Sequence, residues 1–207
     1  MCYSINSSYF NWLKTFLLSI LILMFYNDYD TIWVVSFILT FTFMQTYEAI
    51  AWANLDHINN NKKINSILIF LLMLQPIVNI LFAYNKSKNN KLLYLLIIFI
   101  IFLLFLYSLD RKINIKPGVN GHLTWLDDNN DYVFKYLIIG FVFLIGLTYP
   151  FLYLDNDKIK YPLILFVILS YLYSVYNFSK TNEISSYWCY IATNLIFLFL
   201  ILKIFNN

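Results

Sequence analysis

"TIWVVSFILTFTFMQTYEAIAWA", Thr31 to Ala53, is a run of 23 residues that carries one charge, Glu48. As a helix it reaches about 35 Å at 1.5 Å per residue, more than the roughly 30 Å hydrocarbon core of a bilayer. The run is continuously apolar apart from that charge, and in lipid only a helix satisfies its own backbone hydrogen bonds, so a membrane-spanning helix is expected. Six further runs bounded by polar clusters read the same way: Tyr9–Tyr26, Ser66–Tyr84, Leu92–Leu109, Tyr132–Leu154, Tyr161–Phe178 and Tyr187–Phe205. Together they predict an all-α integral membrane bundle of seven transmembrane helices, with residues 1–207 forming one polytopic domain.

The composition agrees. Hydrophobic residues make up 61% of the chain and charged residues 12%, and the mean hydropathy is +0.67, well beyond the range of soluble domains. The first apolar stretch has no basic segment before it and no small-residue cleavage site after it, so it is expected to stay as a span. Lysine, asparagine, isoleucine, phenylalanine and tyrosine are abundant while Arg111 is the one arginine. These residues have A/T-rich codons, which explains the 21% aromatic content without any function. The net charge of +3 gives no reason to expect a nucleic-acid partner; the expected partner is the lipid bilayer.

The connections are short except for Asp110–Asp131. That loop holds the turn signal Pro117-Gly118, then Gly121-His122, and an acidic end at Asp127, Asp128 and Asp131. A loop of this length inside a compact domain reads either as a lid or as a tolerated insertion. Seven spans place the termini on opposite sides. Basic residues divide almost evenly between the two faces, so the positive-inside rule selects no orientation, and the composition names no particular membrane.

Counting spans brings the unusual residues together. Glu48 lies five residues before Ala53, roughly 7–8 Å from the end of its span. Gln45, Glu48 and Trp52, at i, i+3 and i+7, share one stripe. A carboxylate at such depth costs roughly 3 kcal/mol on insertion scales and usually faces a bundle interior or a wet cavity; the bland alternative is that it snorkels or is protonated. Cys2, the loop residues His122 and Trp125, and Trp188 and Cys189 at the start of the last span all fall at the same end. Singly, each has an ordinary reading: tryptophans belong at interfaces, and a free cysteine is usually a small buried hydrophobe.

The segments "MCYSINSSYF" (1–10), "QTYEAIAW" (45–52), "LQPIVN" (74–79), "GHLTW" (121–125) and "SYWCYIA" (186–192) resemble, in the same order, a family of uncharacterised multispan membrane proteins with bacterial members. The A/T-rich codon usage would also suit a large DNA virus. The resemblance implies that Cys2, Ser4, Gln45, Glu48, Trp52, His122, Trp188 and Cys189 occupy the family's motif positions. It implies no activity. Where bacterial members carry a further polar or histidine position after Trp-Cys, this chain continues through Thr193 and Asn194 into plain aliphatics.

Two thiols, an imidazole and a carboxylate are a reasonable first set of ligands for zinc or copper, so Cys2, Glu48, His122 and Cys189 form a candidate metal site. No two of them have local ligand spacing. A Cys2–Cys189 disulfide, or a thiol paired with His122 as a nucleophile or redox group, uses the same residues, as does a polar plug that only packs the bundle end. Gln75-Pro76 and Asn79 interrupt the third span near its centre, where a kink shapes a cavity or simply packs. Lys203 sits at the end of the last span rather than midway, which argues against a retinal protein. His57 and His122 are too few for the multi-histidine lipid hydrolases and desaturases, and the four glycines form no phosphate-binding loop. Three functions stay open: a small-ligand or metal pocket built by Cys2, Gln45, Glu48, Trp52, His122, Trp125, Trp188 and Cys189; an enzyme acting on a lipid or thiol substrate; or a structural or partner-binding protein.

Overall fold

The computed structural model describes residues 4–109, 115–124, 132–181 and 183–206. It is all-α, with helices α1 (Ile5–Phe25), α2 (Tyr29–Ala53), α3 (Ile58–Ser87), α4 (Asn90–Leu109), α5 (Tyr132–Thr148), α6 (Asp157–Phe178), α7 (Ile184–Ala192) and α8 (Leu195–Asn206). A two-stranded antiparallel hairpin, β1 (Lys116–Pro117) with β2 (Leu123–Thr124), lies between α4 and α5. Cys2 and Trp125 fall outside the described residues.

Five stretches are long and apolar enough to cross a membrane: Ile5–Phe25, Tyr29–Ala53, Asn60–Ser87, Asp157–Thr181 and Ile184–Asn206. Asn90–Phe102 and Gly140–Tyr153 are shorter apolar helical stretches. Most helices begin before the apolar run does, because their caps are polar. Ser4 accepts from the Ser7 N–H and Ser7 reciprocates on Ser4; Asp28 caps α2 through the Thr31 N–H, and Asn156 caps α6 through the Lys158 N–H. Each cap satisfies a backbone donor that the first turn leaves open. Ser4 at its motif position is therefore a helix cap.

Three boundaries differ from expectation for physical reasons. α3 starts at Ile58 rather than Ser66, since Asn61 and Asn65 are buried and stay helical. The fifth run tightens into a 3-10 turn over Tyr149–Tyr153 around Pro150, which has no N–H to continue an α-helix. The last run is not one helix. It breaks at Thr193 and Asn194: the Asn194 N–H bonds Ile191 O and the Phe197 N–H bonds Asn194 O, both with i→i−3 spacing. Thr193 Oγ1 donates back to Tyr190 O at 2.7 Å, a side-chain bond that competes with the helical ladder.

α1 packs on α2, α2 on α3, and α3 on α4 and α5; α6 packs on α7 and α8. Gly146 of α5 allows a close approach to α3 and α4, since a Cβ there would meet the Phe99 ring at 2.3 Å and Pro76 at 2.8 Å. Aromatic rings fill the centre edge to face: Phe37 against Phe41 and Phe151, and Trp188 against Phe41, Phe143 and Tyr171. Asn79 ties three helices, accepting from Trp33 Nε1 at 2.6 Å and donating to Leu147 O at 2.7 Å. The polar residue at the Pro76 bend is thus a structural tie.

α1 is turned inside out relative to a water-soluble helix. Its buried side chains include Ser8, Asn11, Thr15 and Ser19, whereas Phe10, Met24 and Phe25 are 68%, 74% and 78% exposed. Spacings of three and four put the polar set on one stripe facing α2. α4 and α6 likewise expose leucine, isoleucine and tyrosine outward. Apolar surface this extensive needs a cover, and it is compatible with burial in lipid.

The two ends of the bundle are closed differently. At one end Asp28 pairs with Lys203 at 2.7 Å, while Lys86 bridges Asp30 and Asp155 at 2.5 and 2.9 Å. At the other, the hairpin lies across the starts of α3 and α7.

Candidate functional site

The polar residues that gather inside the bundle come from α1, α2, α3 and the break after α7. Glu48, one of the least exposed residues in the molecule at 0%, accepts from Gln45 Nε2 at 2.9 Å through Oε2. The i, i+3 spacing read from sequence makes that contact. Asn11 Nδ2 donates to Thr193 Oγ1 at 2.7 Å and reaches Gln45 Oε1 at 3.4 Å. The hydrogen bonds thus diverge from the Asn11 amide, to Thr193 at the helix break on one side and through Gln45 to the Glu48 carboxylate on the other, linked bonds of the kind that polarise one another. Gln75 Nε2 lies 3.9 Å from Cys189 Sγ, and the Glu48 carboxyl is within electrostatic reach of that thiol. Lys14 donates to Asn194 Oδ1 at 3.0 Å, so a cation flanks the break.

Every member of this group is buried: Asn11, Gln45, Glu48, Gln75, Cys189 and Thr193. Burying so many polar groups is costly unless they bond one another. Most do. Two acceptors, Asn11 Oδ1 and Gln75 Oε1, have no hydrogen-bond partner among the described residues.

The hairpin forms an adjoining cluster. His122, 0% exposed, inserts its ring between Phe178 and Tyr187, with centroids at 5.3 and 4.9 Å. Glu183, also buried, accepts from the Asn120 N–H at 2.9 Å and the His122 N–H at 3.4 Å. A Cβ on Gly118 would sit 2.3 Å from Glu183 Oε1, so only glycine lets the loop close over that carboxylate. Burial pushes the His122 imidazole down to about 4, because removal from water penalises the charged form. The Asp110–Asp131 loop is therefore docked through its described part, not hanging free.

Of the residues singled out in the sequence, Gln45, Glu48 and Cys189 join one cluster. His122 joins the adjoining one through Tyr187, two residues before Cys189. Trp188 does not sit at an interface. It is caged by Phe41, Phe143 and Tyr171 and donates Nε1–H to Ser170 Oγ at 3.1 Å, which makes it a packing centre. Trp52 is half-buried against the core. Among the described residues, no group of three or more His, Cys, Asp or Glu is placed to hold a metal ion; the ring of His122 is taken up by its aromatic neighbours.

Asn11, Gln75, Glu183 and Thr193 were missed as site residues by sequence reading. Asn11 carried a signal, standing with Ser8, Thr15 and Ser19 as a polar stripe in an otherwise apolar run. Glu183 stands in the connection before the last run, where nothing local marks it. No protein-family model, curated protein or solved structure matches the chain.

Proposed function

We propose that this chain is a multi-pass integral membrane protein of seven spans that binds a small ligand beneath one membrane face. The spans are α1 to α6 and the broken pair α7–α8. The apolar exterior of α1, α4 and α6 supports insertion in lipid, and the contacts at each end fit helices that alternate in direction. Those contacts are Asn11 with Thr193 at one end and Asp28 with Lys203 at the other.

One observation carries the binding reading: a fully buried carboxylate, Glu48, is bonded into a polar cluster beside a break in the final helix. Within lipid, irregular backbone persists only where it is shielded by protein or lines a cavity, and ionisable residues there are functional by default. On this reading Gln45, Glu48 and Cys189 hold their motif positions because they build the pocket.

The deciding experiment is the stability of Glu48→Gln. A charge kept for binding is a strain on the fold, so the neutral, nearly isosteric variant should unfold at the same temperature as wild type or higher. A structural plug would behave oppositely. Loss of more than about 2 kcal/mol would assign the cluster to packing alone.

A further inference from the structure

The end of the bundle that is closed by ion pairs holds a cavity of about 220 Å³. Its floor is apolar, with Val34 and Phe199 buried, and its rim carries Asp28, Asp30 and Asp155; Lys203 stands between the two. Each charged residue lies where a span begins or ends. Asp28 caps α2 and Asp30 is in its first turn, Asp155 precedes α6, and Lys203 is in the last turn of α8. With the chain set in lipid, such positions stand at the depth of the headgroups.

The charges around this cavity are unevenly spent. Lys203, its side chain 9% exposed, makes one hydrogen bond among the described residues, to Asp28 at 2.7 Å. The rings of Tyr26 and Phe199 lie 5.7 and 5.9 Å from its nitrogen. An ammonium has three donors, and a buried one with N–H groups to spare calls for an acceptor. The carboxylates have the opposite surplus. Asp30 accepts from Lys86 and from the Asp155 N–H, and Asp155 accepts from Lys86, against about four acceptor positions on each carboxylate. Three carboxylates against the ammoniums of Lys86 and Lys203 also leave one negative charge over.

This inventory selects a ligand by its charges and donors. A purely anionic headgroup answers Lys203 but meets a rim that is negative on balance. A quaternary ammonium is attracted to the rim and has no N–H to give it. A group that joins a phosphate to a primary ammonium answers both surpluses with charge-assisted bonds, and the apolar floor covers the carbons between them.

We propose that this cavity recognises the headgroup of phosphatidylethanolamine, with Lys203 holding the phosphate and Asp30 and Asp155 the primary ammonium. The inference rests on the chain being inserted in lipid and is independent of the Glu48 cluster at the other end.

The test reconstitutes full-length protein in vesicles of equimolar phosphatidylethanolamine, its N,N-dimethyl derivative, phosphatidylcholine and phosphatidylglycerol, all with the same acyl chains. Flotation reports insertion, and the lipids kept through mild detergent extraction are counted by mass spectrometry. Phosphatidylethanolamine should be retained about threefold over phosphatidylcholine, the order that a partly exposed ion pair confers, with the dimethyl lipid between them. Lys203→Met should erase the preference. So should Asp155→Asn, which changes a side chain that is 84% exposed and so spares the core. Equal retention of the ethanolamine and choline lipids, or a preference for phosphatidylglycerol, would overturn the inference, as would a preference that survives in both variants. Displacement of the retained lipid by soluble glycerophosphoethanolamine would assign the cavity to the free compound and overturn the lipid. Wild-type protein that fails to float would instead sink the membrane reading beneath it.

Discussion

Asn61 and Ile115, 54 residues apart in sequence, exchange two hydrogen bonds: Asn61 Nδ2 donates to Ile115 O at 3.0 Å, and the Ile115 N–H donates to Asn61 Oδ1 at 2.6 Å. A side-chain amide thereby does for the loop what a neighbouring strand does in a sheet, satisfying both backbone groups of a buried residue. Glu183 holds the turn of the same hairpin. The loop is fastened at two points.

Removing either fastening should release the hairpin. Asn61→Ala leaves the Ile115 N–H and C=O without partners, at a cost of about 1–3 kcal/mol. Gly118→Ala drives a methyl into Glu183. In both variants amide exchange at Ile115 and Asn120 should speed up at least tenfold, while exchange in α2 and α3 stays unchanged. Unaltered exchange at Ile115 in Asn61→Ala would show that the amide pair does not hold the loop.

Acid should undock the same hairpin through His122. The unfolded imidazole titrates near 6.5, whereas the buried ring is held down to about 4. Between those values the unfolded loop binds the extra proton, so stability falls as pH drops through that window. The loss amounts to something on the order of 3 kcal/mol for full burial; above pH 6.5 there is no further gain. Amide exchange of the hairpin measured from pH 7 to pH 4, and corrected for intrinsic rates, should follow this course in wild type and flatten in His122→Phe. Glu183 and Tyr187, the ionisable side chains facing this segment, remain in that variant as controls.

Trp188 should behave as a core residue rather than as an interfacial anchor. Trp188→Phe keeps the aromatic contacts and loses only the bond to Ser170, costing about 1 kcal/mol. Trp188→Ala opens a cavity among Phe41, Phe143 and Tyr171 and should cost about 3–5 kcal/mol. Differential scanning in detergent separates the two; near-equal losses would mean that the cage contributes little.

Asp28 and Lys203 close the opposite end. Burial works against the Asp28 charge, but the bonds from Lys203 and Thr31 outweigh it and hold the carboxyl down to about 2. Its contribution is therefore complete above about pH 4 and lost as pH falls toward 2. Asp28 is half exposed, so a double-mutant cycle of Asp28→Asn with Lys203→Met should give a coupling of only about 0.5–1 kcal/mol. A value near zero would reduce the pair to a surface contact.

The proposed seven spans would place the ends of the chain across the bilayer from each other. Epitope tags at the two termini should show opposite protease sensitivity in sealed vesicles. Tags digested together would require an even number of crossings and would remove the alternation on which the topology rests.

The apolar runs were legible because burial in lipid imposes length and hydrophobicity on a helix, and both are written locally. Glu48 and Gln45 were legible for the same reason, as exceptions within such a run. What escaped were the relations made at a distance. Thr193 and Asn194 look innocuous among aliphatics, yet their side-chain bonds to Tyr190 and Lys14 accompany a broken helix. Asn11 acquires its place from Gln45 and from Thr193, 34 and 182 residues away. Trp188 read as an interfacial residue by its position near a span end, whereas α6 and α5 fold around it.

The inverted surface of α1 bears on how the chain is made. Inserted in lipid without its neighbour, α1 would present Ser8, Asn11, Thr15 and Ser19 to acyl chains with nothing to cover them. α2, joined by a link of three residues from Tyr26 to Asp28, brings the covering face. On the proposed topology the first segment depends on the second for cover, so the pair would enter as a helical hairpin rather than one helix at a time.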